Sequence, residues 1–129
     1  GKLFKKNSFD AIVALELIEH IPPKEIFKLY EMICHLLKPG GIFIITTPTN
    51  EGLRDKKTCL PAGRENPSGH VRDYTIPILE MELSISGFKI LNKKTLFAFQ
   101  TNYRIKKHVS LFLKNRWRPN NILIAAKKV

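Results

Sequence analysis

The sequence predicts an α/β fold, a strand–helix–strand crossover followed by further strands, and three observations carry that prediction. Residues 10–15 and 42–47 are short β-prone runs centred on Ile12, Val13, Ile44 and Ile45, the pattern of strands buried on both faces of a parallel sheet. Between them Ile26, Leu29, Tyr30, Ile33, Leu36 and Leu37 recur three and four residues apart, with Lys24, Glu25, Lys28 and Glu31 on the other side, as in an amphipathic helix. The joints are short, so the two strands must run parallel.

The first strand, residues 10–15, runs directly into the acidic pair Glu16 and Glu19. Pro22 and Pro23 break the chain, and Pro23 suits the first turn of a helix over residues 24–38, where its missing N–H has no partner to lose. That helix is expected to stop at Lys38-Pro39-Gly40-Gly41, because Pro39 disfavours helical geometry at Lys38 and a glycine accepts the positive φ that closes a helix. The second strand, 42–47, ends at Pro48. Residues 49–74 are rich in Asn, Gly, Pro and charge and read as a long functional lid or a disordered segment. Thr75 then caps a helix over 76–86 with Pro77 in its first turn, core candidates Ile78, Leu79, Met81, Leu83 and Ile85, and Gly87 as its stop. Residues 88–99 and 121–126 read as two more strands. The stretch between them, 103–117, places Ile105, Val109, Phe112 and Leu113 on one helical stripe and Lys106, Lys107, Ser110 and Lys114 off it, a basic amphipathic segment that Arg116, Trp117 and Arg118 extend.

At 129 residues, 43% hydrophobic and 26% charged, the chain has the composition of one globular domain with a packed core, which excludes collagen-like and low-complexity classes. It has no apolar run near the roughly 20 residues of a spanning helix and no apolar stretch behind the charged amino end, so a soluble, cytoplasmic protein is expected. Cys34 and Cys59 make neither a disulfide framework nor a cysteine-based metal site and suit a reducing compartment. The net charge of +11 is unevenly placed: all 11 acids lie between Asp10 and Glu82, whereas residues 83–129 hold 11 cations and no acid. Such a segment suggests an anionic partner, a nucleic acid or a membrane surface, met through residues 103–118.

The run Asn7-Ser8-Phe9-Asp10, the segment from Ala11 to Ile21 ending Leu-Ile-Glu-His-Ile, then Leu36-Leu37-Lys38-Pro39-Gly40-Gly41 and Ile44-Ile45-Thr46-Thr47-Pro48 resemble the second half of a class I S-adenosylmethionine-dependent methyltransferase. Gly69-His70-Val71-Arg72-Asp73-Tyr74-Thr75 and Ser86-Gly87-Phe88 are similar to the loop and helix before that family's sixth strand. The resemblance covers about residues 7–99, with 121–128 as strand seven. It implies a Rossmann-like fold, here only the half with strands four to seven and their helices, and residues 100–120 as a basic insertion between the last two strands. The glycine-rich cofactor loop that the family carries after strand one is not in these residues, so the resemblance implies the C-terminal part of a single methyltransferase domain that is not competent alone. Strand four would normally pair with strand one, so the missing half or a second copy of the chain is an expected partner. Residues 1–129 alone are accordingly expected to self-associate or to be partly disordered; monodisperse monomer in light scattering with cooperative unfolding would refute this.

Ligands of open parallel sheets bind at the carboxyl ends of the strands, which places Ala14, Leu15 and Glu16 and, from the next strand, Thr47, Pro48, Thr49 and Asn50 at the rim of a site. The resemblance implies that Ala14, Leu15 and Glu16 meet the cofactor S-adenosylmethionine, with Thr49, Asn50 and Tyr74 toward a small-molecule acceptor. Glu16-x-x-Glu19-His20 is the sharper constellation: one helical turn after the strand would bring two carboxylates and an imidazole together, a mixed O and N set suited to Mg or Mn. Two metal-dependent branches that this pattern resembles, ubiquinone-biosynthesis O-methyltransferases and small-RNA 2′-O-methyltransferases, imply Glu16, Glu19, His20 and, in the RNA branch, His70 as ligands. Without a metal, His20 or His70 is the candidate general base. Three readings follow: methyl transfer to a small molecule, an RNA-directed 2′-O-methyltransferase-like or nucleic-acid-binding module, and a non-enzymatic truncated domain docking on an anionic membrane.

Overall fold

The computed structural model describes residues 3–49, 70–96 and 121–129. Asn50, Cys59, the greater part of the predicted 49–74 loop and the basic stretch 103–118 lie outside the described residues. Within them run β1 (Phe9–Leu15), a single 3-10 turn (Ile18–His20), α1 (Pro23–Leu36), β2 (Leu37–Pro48), α2 (Ile76–Ile85), β3 (Phe88–Leu96) and β4 (Asn121–Lys128). The four strands form one sheet in the order β1-β2-β4-β3. β1 and β2 are parallel, as the short joints require, and β4 inserts antiparallel between β2 and β3. The sheet is therefore mixed.

The joint between α1 and β2 departs from the sequence reading. The helix ends at Leu36 and the chain is already extended at Leu37, where φ is −69° and ψ 139°. Gly40 takes its positive φ of 76° inside the strand instead of closing the helix. The register explains this: Phe9 pairs with Leu37 and Ala11 with Ile42, so residues 38–41 bulge opposite Asp10. A Cβ on Gly41 would sit 2.9 Å from the Lys38 carbonyl, too close for any side chain. The Lys38 ammonium closes the bulge on both Asp10 oxygens, at 2.7 and 2.9 Å.

Both helices lie on one face. β2 alternates strictly, with Gly41, Phe43, Ile45 and Thr47 buried and the residues between them half-buried. Phe43 sits at the centre of an aromatic cluster, 6.4 Å from the Tyr30 ring of α1 and 5.6 Å from Phe88 of β3. Ile26 and Ile33 of α1, Leu79 and Leu83 of α2, and Ile122, Ile124 and Ala126 of β4 complete the core. On the opposite face, among the described residues, Val13 and Leu15 of β1 are 55% and 63% exposed.

α2 is rotated from its predicted orientation. Leu79, Glu82 and Leu83 are buried, whereas Met81 and Ile85, two predicted core residues, are exposed. The cause is electrostatic: Glu82 must reach inward to pair with the Arg72 guanidinium and to accept the Tyr30 hydroxyl at 3.2 Å. Arg72 in turn stacks on Tyr74, 4.9 Å from the ring centroid. Thr75 stands at the N-cap in extended geometry, yet its side chain makes no capping bond; its carbonyl receives the Leu79 amide at 3.1 Å. Gly87, at φ 86°, ends the helix as predicted.

Burial pushes both phenols up, helped by the nearby Glu82 carboxylate, Tyr30 far above the ordinary tyrosine range and Tyr74 to about 12. Because the folded Tyr74 holds its proton more tightly than the unfolded chain does, its contribution to stability is intact below about pH 10 and is lost as pH rises toward 12. Of the fall in stability that urea unfolding shows from pH 9 to 11.5, Tyr74 should account for about 2 kcal/mol and Tyr30, held up further, for a similar share. The fall should shrink in Tyr74→Phe; an equal fall in that variant would refute the assignment.

Candidate functional site

The site is built where β1 and β2 end side by side at their carboxyl edge. Side chains of paired residues share a face of the sheet, and neighbours along a strand take opposite faces. Leu15 pairs with Thr46, and Asn121 of β4 pairs with Pro48. Thr46 and Asn121 therefore stand on one face and Thr47 on the other. Each face receives one of the two glutamates.

Glu16 belongs to the face of Thr46. Its backbone turns left-handed, φ 48°, a conformation that costs a residue with a Cβ about 1 kcal/mol. Two contacts hold it there. The Glu16 amide donates to the Thr46 carbonyl at 3.0 Å and to its hydroxyl at 3.3 Å. The Glu16 carboxylate accepts the Asn121 side-chain amide on both oxygens, each at 2.9 Å. Leu15, the residue before the turn, is left with its side chain in solvent.

Glu19 belongs to the face of Thr47, inside the helical layer. It is 1% exposed, and its Oε2 accepts the Thr47 hydroxyl at 3.0 Å. Its Oε1 is buried and, among the described residues, has no hydrogen-bond partner, a state that costs on the order of 1–3 kcal/mol unless something else meets the oxygen. His20 Nε2 lies 3.9 Å from that oxygen, and the rings of His20 and His70 meet edge to face at 5.0 Å. One ligand atom from each of Glu19, His20 and His70 falls within 4.8 Å of the others.

His70 is brought to this cluster by its own segment, which three contacts fasten. The Val71 amide donates to the Glu19 carbonyl at 2.9 Å, Tyr74 bridges in parallel to Thr49, and Arg72 is held by Glu82. A residue some fifty positions from Glu19 in sequence thus becomes its neighbour in space.

The predicted residues divide accordingly. Glu19, His20 and His70 come together, and Glu16 does not join them: the helical turn begins at Ile18, after the left-handed Glu16 has sent its side chain to the other face. Ala14 is buried against the core while Leu15 faces outward. Thr49 and Tyr74 are both buried, Tyr74 fully so beneath Arg72. Asn121 and the Arg72–Glu82 pair escaped the sequence reading, and Thr47, placed by it at the rim, was not read as the partner of Glu19. For Thr47 the alternation of β2 was a usable signal. Asn121 and Glu82 offered none, because a lone Asn at a strand start and a Glu within a helix are ordinary surface residues in sequence.

Comparison with known proteins accords with this geometry. Residues 2–93 match the family model described as a methyltransferase domain. Over 97 residues the chain is 31% identical to sterol 24-C-methyltransferase of Candida albicans, covering 72% of this chain and 25% of that protein. Among solved structures, the 1,6-didemethyltoxoflavin N1-methyltransferase of Burkholderia thailandensis, bound to S-adenosylhomocysteine, superposes with a TM-score of 0.67 at 19% identity, over 99% of this chain and 47% of that one. An S-adenosylmethionine-dependent methyltransferase of Mesorhizobium loti gives 0.66 at 18% identity, over 97% and 64%. The chain thus spans about a quarter of its sterol-methylating relative and about half of the first solved neighbour. With the family match over most of its length and a sheet that superposes on these neighbours, the chain belongs to the methyltransferase domain family and has its Rossmann-like α/β fold.

Proposed function

We propose that the chain is the C-terminal part of a methyltransferase domain that transfers the methyl group of S-adenosylmethionine to a small-molecule acceptor. The observation that carries this reading is the left-handed turn at Leu15 and Glu16, at the carboxyl edge of the parallel pair, in a chain of this family. The residues fit the cofactor. Leu15 offers an exposed apolar side chain, and the Glu16 carboxylate, with one donor group on it among the described residues, keeps acceptor capacity for a cation or a ribose hydroxyl. When bound, the cofactor supplies an electrophilic methyl on a sulfonium. This chain's own part is to orient: Leu15 and Glu16 from one side of the edge, and His20 and His70 from the other, where an imidazole takes the acceptor's proton. Small molecules are the acceptors named for the sterol and toxoflavin enzymes it is similar to. A cytoplasmic setting belongs to the same proposal, on cysteines too few for a disulfide framework. In calorimetry on the full methyltransferase, S-adenosylhomocysteine should bind, and Leu15→Asp should weaken it by about tenfold or more by placing a charge against the cofactor. No binding by the unaltered protein would end this reading.

A second reading concerns the acceptor side, and the Glu19 Oε1, without a hydrogen-bond partner among the described residues, favours it. Glu19, His20 and His70 offer one oxygen and two nitrogens, a donor set that suits Mg or Mn. Their role would be to hold a cation that lowers the pKa of an acceptor hydroxyl. Electron paramagnetic resonance of added Mn²⁺ should then show one bound ion, lost in Glu19→Gln and unaffected by Glu16→Gln. Equal binding in unaltered and Glu19→Gln protein would exclude it. The nucleic-acid and membrane readings rest on residues 103–118, outside the described residues, and no described contact favours them.

A further inference from the structure

We infer that Asn121 is a positioning residue for methyl transfer: it holds the Glu16 carboxylate, and through it the left-handed turn that aims Leu15 at the cofactor. The inference rests on the cofactor reading above and adds to it a residue from a distant part of the chain, 105 positions from Glu16. Asn121 is the first residue of β4, only 2% exposed, and its Cα is paired on one side with Pro48 of β2 and on the other with Leu96 of β3. Two neighbouring strands thus fix its backbone. Its side chain crosses the end of β2 to reach β1, which makes no ladder contact with β4 in the sheet order. Both carboxylate oxygens lie 2.9 Å from the one amide nitrogen, so the contact sets the direction of the carboxylate as well as its distance.

The backbone explains why such a hold is required. A glutamate at φ 48° reverts to a right-handed or extended conformation unless its surroundings over-determine it. Thr46 fixes the amide of Glu16 and Asn121 fixes its side chain; with only the first in place the turn has one anchor. The charge is also conditional. Asn121 is a neutral donor, and an aspartate there would set a second carboxylate against the first.

Calorimetry with S-adenosylhomocysteine on the full methyltransferase tests the role through three variants. Asn121→Ala should weaken binding by about tenfold, the expected loss for one hydrogen bond to a charged group. Asn121→Asp should bind poorly at pH 8 and recover toward pH 5, where the two carboxylates share a proton. With Glu16→Gln already in place, Asn121→Asp should no longer weaken binding at pH 8, because donor and acceptor are then only reversed. Unchanged affinity in Asn121→Ala, or an equal loss from Asn121→Asp with and without Glu16→Gln, would overturn the positioning role while leaving the cofactor reading standing. Absence of binding by the unaltered protein would overturn that reading and the role together.

Discussion

The alternation of side chains along β2 is the constraint on which the site depends. A strand cannot send two successive residues to the same face, so Thr46 and Thr47 look in opposite directions. Each hydroxyl engages a different element of the turn that follows β1: Thr46 the left-handed Glu16 and Thr47 the buried Glu19. The two glutamates are therefore separated by the sheet itself. The same parity assigns Asn121 to Glu16 and leaves Glu19 with the histidines.

Buried charge has a second consequence, in the helical layer. An ionised carboxylate taken out of water must be paired and hydrogen-bonded or it destabilises the fold by several kcal/mol. Glu82 meets that demand with Arg72 and Tyr30, and α2 turns accordingly, exposing Met81 and Ile85. The pairing also reaches beyond packing, since Arg72 lies two residues from His70. What satisfies Glu82 in the core fixes where an imidazole stands at the carboxyl edge. Core electrostatics and site geometry are in this way one arrangement.

Much of the fold was legible from local pattern. The parallel pair followed from β1, α1 and β2 being joined by short connections, and Gly87 was readable as a stop because only glycine takes φ 86° without strain. Gly40 misled for a related reason. Its positive φ was anticipated, but whether it closes a helix or turns a bulge depends on the strand beside it, and the register of β1 decided for the bulge. In α2 a count of apolar residues cannot show that a glutamate outranks a methionine for the interior, because the guanidinium that pays for its burial comes from another segment.

The sequence by itself determined the family motifs, the crossover, the residues able to accept a proton or hold a cation, and an acid-free carboxyl third. These are local properties, written in spacing, residue type and charge. Tertiary structure alone decided that Glu16 and Glu19 part company, that His70 joins Glu19 and His20, and that Asn121 reaches across β2 to a residue 105 positions away. Each of those outcomes depends on strand register and on which face a side chain takes, and a shift of one residue in register would reverse it.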